Sequence, residues 1–104
     1  MGTLLVDRSM TDLVSRVAEA TAMLKALANE NRLMILCKLL ERGEMSVMPL
    51  SEELVLSQSA LSQHLAKMRD EGIVGFRREG QTVFYRVASP KAGRILKTLK
   101  SIYC

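Results

Sequence analysis

The chain has 104 residues, 48% of them apolar, and carries 15 Lys and Arg against 11 Asp and Glu for a formal net charge of +4. That length fits one domain with a core of its own, and the modest positive balance favours a polyanionic partner without requiring one. No run approaches the roughly 20 apolar residues of a membrane span, and the opening MGTLLVDRSM lacks the basic and apolar regions of a signal peptide. A cytoplasmic protein with both cysteines reduced is therefore expected.

In chain order, residues 1–9 are expected to be a flexible N-terminus. Ser9 and Asp12 have the spacing of a capping box. Leu13, Val17, Ala20, Leu24 and Leu27 follow at helical period, which predicts one helix over about residues 10–28. Asn29 can cap a second helix whose apolar side holds Leu33, Leu36, Cys37 and Leu40, and Gly43 ends it. Ser46 can cap a short third helix. Pro49 is tolerated there because it falls in the first turn, where amides lack partners anyway. That helix carries Leu50 and Leu54 to a bend at Val55-Leu56.

The stretch Leu56 to Arg69, LSQSALSQHLAKMR, carries the main functional signal. Ser57 is a natural N-cap, and behind it Leu61, Leu65 and Met68 form one narrow apolar stripe at helical spacing. Ser59, Ser62, Gln63, Ala66 and Lys67 fall away from the stripe. A merely solvated face would more usually carry Glu and Lys pairs, whereas hydroxyl and amide groups can read base edges in a major groove. This is the pattern of a DNA recognition helix, with Gly72 as its left-handed stop. Lys67 and Arg69 suit phosphates. His64 flanks the apolar stripe, so a half-buried orienting role and a phosphate contact both remain open, while no partner for catalysis is visible.

The period then changes. Ile73–Arg78 and Thr82–Val87 are rich in Val, Phe and Tyr, with Glu79-Gly80-Gln81 as a hairpin turn between them. Ser89-Pro90 starts a last helix that carries Ala92, Ile95, Leu96, Leu99, Ile102 and Tyr103. There are no internal repeats, low-complexity tracts or linkers. The chain is thus mainly α with a β-hairpin wing: four helices, a two-stranded ribbon and a fifth helix, a winged helix-turn-helix in a single domain over residues 1–104.

The wing is a second basic element, with Arg77, Arg78, Gln81 and Thr82 at or near its tip; such a ribbon can follow the phosphate backbone or enter a minor groove. Together with Ser57, Gln58, Ser59, Ser62, Gln63, His64, Lys67 and Arg69 these are the DNA-facing candidates. An ordinary solvated hairpin also carries Arg, so the wing gains its meaning from the helix beside it. One helix and one wing cover little of a groove, and a two-fold homodimer on a palindromic operator is the usual solution. Leu13, Val17, Ala92, Ile95, Leu99 and Ile102 are candidates for the dimer interface; a role confined to the intrachain core is the alternative.

Three strings, LKALANENRLMIL from Leu24, LSQSALSQHLAKMRDEGIV from Leu56 and REGQTVFYRV from Arg78, together resemble the ArsR/SmtB family of small dimeric winged-helix transcriptional repressors. The resemblance covers nearly the whole chain and implies a DNA-binding protein, not an enzyme, that releases DNA when an inducer binds. Where metal-sensing members carry Cys-x-Cys on the third helix this chain has Ser46-Val47-Met48, and residues 90–103 contain no His, Asp or Glu. No metal or other cofactor is expected, although a metal- or other-ligand-responsive regulator stays as the alternative.

Cys37 on the second helix and Cys104 at the end of the last resemble the thiol-persulfide and redox-sensing branch, the BigR-, SqrR- and HlyU-like members. That likeness implies a sensing pair closed into a disulfide or polysulfide link by a small sulfur or oxidant inducer. A small buried hydrophobe for Cys37 and an incidental thiol for Cys104 are the plain alternatives. A thiol oxidoreductase would need an activated cysteine motif, and none is visible. A winged-helix module for protein partners predicts an acidic or apolar helix face, which Ser59, Ser62, Gln63 and Lys67 do not supply.

Overall fold

The computed structural model describes residues 4–104. Within them lie six helices and three strands: α1 (Met10–Val14), α2 (Val17–Leu27), α3 (Glu30–Arg42), β1 (Met45–Ser46), α4 (Val47–Glu53), α5 (Gln58–Asp70), β2 (Val74–Glu79), β3 (Thr82–Val87) and α6 (Pro90–Tyr103). This is a winged helix-turn-helix, with α4 and α5 as the helix pair and β2–β3 as the wing. Residues 1–3, the start of the expected flexible segment, lie outside the described residues.

The predicted first helix is broken in two. The Ser15 hydroxyl donates to the Asp12 carbonyl at 2.7 Å, the acceptor that the Arg16 amide would use in a continuous α-helix. That amide turns instead to the Leu13 carbonyl at 2.9 Å. Ser15 thus competes with the backbone and starts a new helix two residues on. The expected capping box is also absent: Ser9 has helical φ/ψ and no capping bond, and both its amide and its hydroxyl donate to the Asp7 carboxylate.

Caps of the later helices follow the sequence more closely. Asn29 accepts from the Arg32 amide at 3.0 Å, Ser57 from Ala60 at 3.1 Å and Ser89 from Ala92 at 3.1 Å, with Pro90 opening α6. Ser46 stands at the N-cap of α4 but makes no side-chain cap bond. It belongs to a short strand that periodicity could not reveal. Met45 pairs with Tyr85 and Ser46 with Phe84, so the sheet has three strands in the order β1-β3-β2. Two residues are too few to display an alternating pattern.

The hairpin is tighter than expected, because Glu79 pairs with Thr82 and only Gly80 and Gln81 form the loop. Gly80 has φ 62° and no other residue type has positive φ among the described residues. Of the two favoured hairpin turns this matches type II′, which needs glycine at the first central position.

The core collects Leu27, Ile35, Leu36, Leu39, Leu50, Leu61, Leu65, Met68, Ile73 and Leu96 around the α5 stripe. On α3 the buried side is Ile35, Leu36 and Leu39 with Arg32, not the predicted Leu33, Leu36, Cys37 and Leu40: Cys37 and Leu40 are exposed and Leu33 half-buried. The mixed apolar pattern of Leu33–Leu40 offers two faces, and packing against α5 selects one. Elsewhere apolar surface stays unspent. α1 buries no residue, and the Cα radius of gyration is 16.3 Å, against about 13 Å for a compact chain of this length.

Core and cap contributions are separable by urea denaturation. Leu65→Ala is expected to lower unfolding free energy by about 2–5 kcal/mol, through lost burial plus a cavity, and Ser57→Ala by about 1 kcal/mol. Equal effects of the two would contradict this assignment of the core.

Candidate nucleic-acid interface

Leu61, Leu65 and Met68 have no exposed surface, so the rotation of α5 about its axis is set by packing. The opposite side is thereby turned to solvent, and Ser57, Gln58, Ser59, Ser62, Gln63, Ala66, Lys67 and Arg69 are all exposed. The Ile73 amide donates to the Met68 carbonyl at 2.9 Å and the Gly72 amide to the Arg69 carbonyl at 3.0 Å, with Gly72 at φ 76°. These paired bonds form a Schellman stop, which satisfies the last carbonyls of α5 and aims the chain directly into the wing. His64 is half-buried on the flank of the helix, as its place beside the stripe implied.

Arg69 sits apart from the other basic groups. Its guanidinium lies over the Phe76 ring, 5.3 Å from the centroid, and Phe76 in turn tilts against Tyr85 at 6.0 Å. The C-terminal end of α5 is thereby joined to the wing through a cation–π contact.

The wing arginines divide. Arg77, expected to face DNA, is held by the Glu44 carboxylate at 3.0–3.1 Å through Nε and by Glu79 at 2.9 Å through Nη1, and stacks over Phe84 at 4.6 Å. Its charge is offset locally, so it anchors β2 to the residue before β1 rather than standing ready for phosphate. Spacing could not reveal this, because Glu44 lies 33 residues away. Arg78, on the other face of β2, is exposed, as are Gln81 and Thr82 at the tip. Among the described residues neither Arg78 nor Lys67 enters an ion pair.

Two basic residues absent from the sequence reading join this surface. Lys91 and Arg94 of α6 line the same open groove as Gln63, His64 and Lys67, between α2, α5 and α6. Their signal in the sequence was only a pair of basic positions near a helix start. At about 1590 Å³ the groove is larger than the 300–1,000 Å³ or so of an enclosed small-molecule pocket, and α2 and α6 leave it open to solvent.

Of the residues proposed for a dimer interface, Leu13, Val17 and Ile102 are 46%, 49% and 65% exposed, and Ile95 and Leu99 are half-buried. Ala92 has no exposed surface and serves the intrachain core alone. Both cysteines are free and exposed, so Cys37 is not a core hydrophobe. Cys104 closes α6, its amide donating to the Lys100 carbonyl at 2.9 Å.

Comparison with known proteins bears directly on this surface. Residues 29–75 match the description "Bacterial regulatory protein, arsR family". The chain is 48% identical over 96 residues to the transcriptional activator HlyU of Vibrio cholerae, a match spanning 92% of this chain and 88% of that one. The chain belongs to the ArsR family. Among solved ArsR-family relatives it is similar to reduced HlyU from V. cholerae (TM-score 0.81, 49% identity, 89% and 97% of the two chains). It is also similar to the transcriptional repressor BigR from Xylella fastidiosa (TM-score 0.83, 37% identity, 95% and 98%). Like these relatives it is a DNA-binding transcriptional regulator and not an enzyme. No helix of the described residues is long and apolar enough to cross a membrane.

The Arg77 anchor makes the wing pH-sensitive in one direction. Hydrogen bonds from Arg77 hold the Glu44 carboxyl below its ordinary value of 4.5. A carboxylate lowered on folding contributes stability that is complete above its ordinary value and lost as pH falls through the folded value. The Glu44 side-chain carbon is therefore expected to titrate below 4.5 by NMR, and to return to that value in Arg77→Gln. Identical titrations in the two proteins would refute the anchor.

Proposed function

We propose that this regulator is a cytoplasmic homodimeric repressor on a palindromic operator, switched off by oxidation or persulfidation of Cys37 and Cys104. The observation that carries the switch is that both thiols are free and solvent-exposed, one on α3 and one at the end of α6. A cysteine retained for packing alone would be covered, as free cysteines commonly are. Similarity to a solved protein described as reduced HlyU supports a thiol-state reading.

The dimer follows from unspent apolar surface. Leu13, Val14 and Val17 at one end of the chain and Ile102 and Tyr103 at the other are exposed, and burying them against a second copy removes that area from water. A two-fold pair sets two α5 helices and two wings at a fixed separation. Ser59, Ser62 and Gln63 then face base edges, while Lys67, Arg78 and the wing-tip Gln81 and Thr82 contact the backbone.

Linking α6 to α3 through sulfur ties the dimer-forming end helix to the helix that precedes the DNA-reading pair. Closing a disulfide removes two electrons and two protons from the thiols, which the oxidant takes up. Sulfane sulfur transferred from a persulfide gives a longer bridge. A direct disulfide needs Cα atoms about 4.4–6.8 Å apart, so a wider gap would select persulfides. Metal is the competing inducer for the family fold. Among the described residues of one chain no three His, Cys, Asp or Glu come together as ligands, so a metal would draw on a second chain.

Fluorescence anisotropy on a duplex from the gene's own upstream region, at fixed salt, tests the switch. Reduced protein is expected to bind, and an organic persulfide to abolish binding unless Cys37→Ser or Cys104→Ser is present. Unchanged affinity with persulfide and with a disulfide oxidant would discard the thiol switch, and Zn(II) sensitivity in its place would favour the metal reading. In the same assay Gln63→Ala is expected to narrow the preference for operator over random DNA. Lys67→Ala should weaken both duplexes alike and reduce the salt slope by about one unit.

A further inference from the structure

Arg32 is the one buried charged side chain among the described residues, 8% exposed. Its Nη1 donates to the Ala26 carbonyl at 2.8 Å and to Glu71 Oε2 at 3.2 Å, and its Nη2 to Glu71 Oε1 at 3.3 Å. Its own amide is fixed by the Asn29 cap at 3.0 Å. Ala26 belongs to the last turn of α2, Arg32 to the first turn of α3, and Glu71 is the C-cap of α5. One guanidinium therefore clasps three elements. Glu71 also donates its amide to the Lys67 carbonyl at 3.1 Å and immediately precedes the Gly72–Ile73 stop that launches the wing.

We infer that Arg32 and Glu71 are a positioning pair: they hold the C-terminal end of the recognition helix against the α2–α3 corner and so fix the angle at which α5 and the wing meet DNA. The inference rests on the DNA-reading assignment of α5 above. A two-pronged contact between planar groups constrains orientation as well as distance, which a single ammonium contact or an apolar contact would not. Burial of Arg32 removes competing water on its side of the pair. Because α2 bears exposed apolar surface and α5 the polar DNA-facing side, the clasp is also the junction through which a shift of α2 or α3 reaches the recognition helix. Arg32 lies five residues before Cys37 on the same helix. The pair touches no DNA in this arrangement; it acts through α5.

Electrostatics makes the test a matter of sign. Glu71→Gln removes a negative charge from a protein of net charge +4, which by itself strengthens binding to any duplex. A positioning role predicts the opposite on a specific site. The experiment selects a duplex from random sequence with wild-type protein, then measures wild type, Glu71→Gln and Arg32→Lys on the selected and a scrambled duplex, with Tm alongside. Glu71→Gln is expected to lose roughly tenfold on the selected duplex while holding or gaining affinity on the scrambled one. Arg32→Lys, with its charge kept and its fork lost, should fall in the same direction. Selected-duplex affinity unchanged or raised in Glu71→Gln overturns the pair's role while leaving α5 as the reader. Equal losses on both duplexes, tracking Tm, reduce the pair to a fold-stabilising contact. Failure of the wild type to select any duplex overturns the DNA-reading assignment and the pair with it.

Discussion

A single constraint orders the molecule: three side chains on one face of α5, Leu61, Leu65 and Met68, lose all contact with water. A helix with so narrow an apolar stripe has one rotation that buries it. Any other would bring Ser62, Gln63 or Lys67 into the core, where an unsatisfied polar or charged group costs several kcal/mol. The outward display of hydroxyl and amide groups is therefore a consequence of packing, and it needs no separate device to maintain it. The Schellman stop at Gly72 then transmits the rotation to the wing, because Ile73 is both the last partner of α5 and a fully buried core residue.

Charge is arranged around that display by pairing some cations and leaving others without ion-pair partners. Arg77, Arg42 and Lys38 are spent on Glu44, Glu79, Glu53 and Glu41, and so tie β2, α3 and α4 into one frame. Exposed pairs of this kind contribute little stability individually. Their effect is geometric, since a cation already bound to a carboxylate competes poorly for phosphate. What remains on the α5 and wing side is Lys67 and Arg78, joined by Lys91 and Arg94 from α6. A formal count of +4 understates how one-sided the available charge is.

The same chain that packs α5 so completely leaves its ends poorly covered. α1 has no buried residue, and Val14, Leu24, Ile102 and Tyr103 are more exposed than apolar residues of a self-sufficient core. An elongated chain with apolar surface at both termini and a dense centre is an arrangement that a second copy completes. The two exposed thiols belong to α3 and α6, one helix of the centre and one of the ends.

Local signals decided much of this protein. Asn29, Ser57 and Ser89 cap where their side chains and neighbours predict, Gly72 and Gly80 turn where positive φ is required, and the i, i+4, i+7 stripe on α5 identified both the helix and its outward face. These are short-range effects, settled within a turn or two of backbone. Tertiary structure decided whatever depends on distant partners. Met45 and Ser46 become a strand only because Tyr85 and Phe84 arrive beside them, and Arg77 leaves the DNA-facing set only because Glu44 does. Cys37 faces solvent because packing chose Ile35, Leu36 and Leu39 from two competing apolar faces of α3, a choice that periodicity alone leaves open. The Arg32–Glu71 clasp spans 39 residues, and no spacing rule connects them, since an ion pair's partners are set by where the chain folds rather than by where they lie along it.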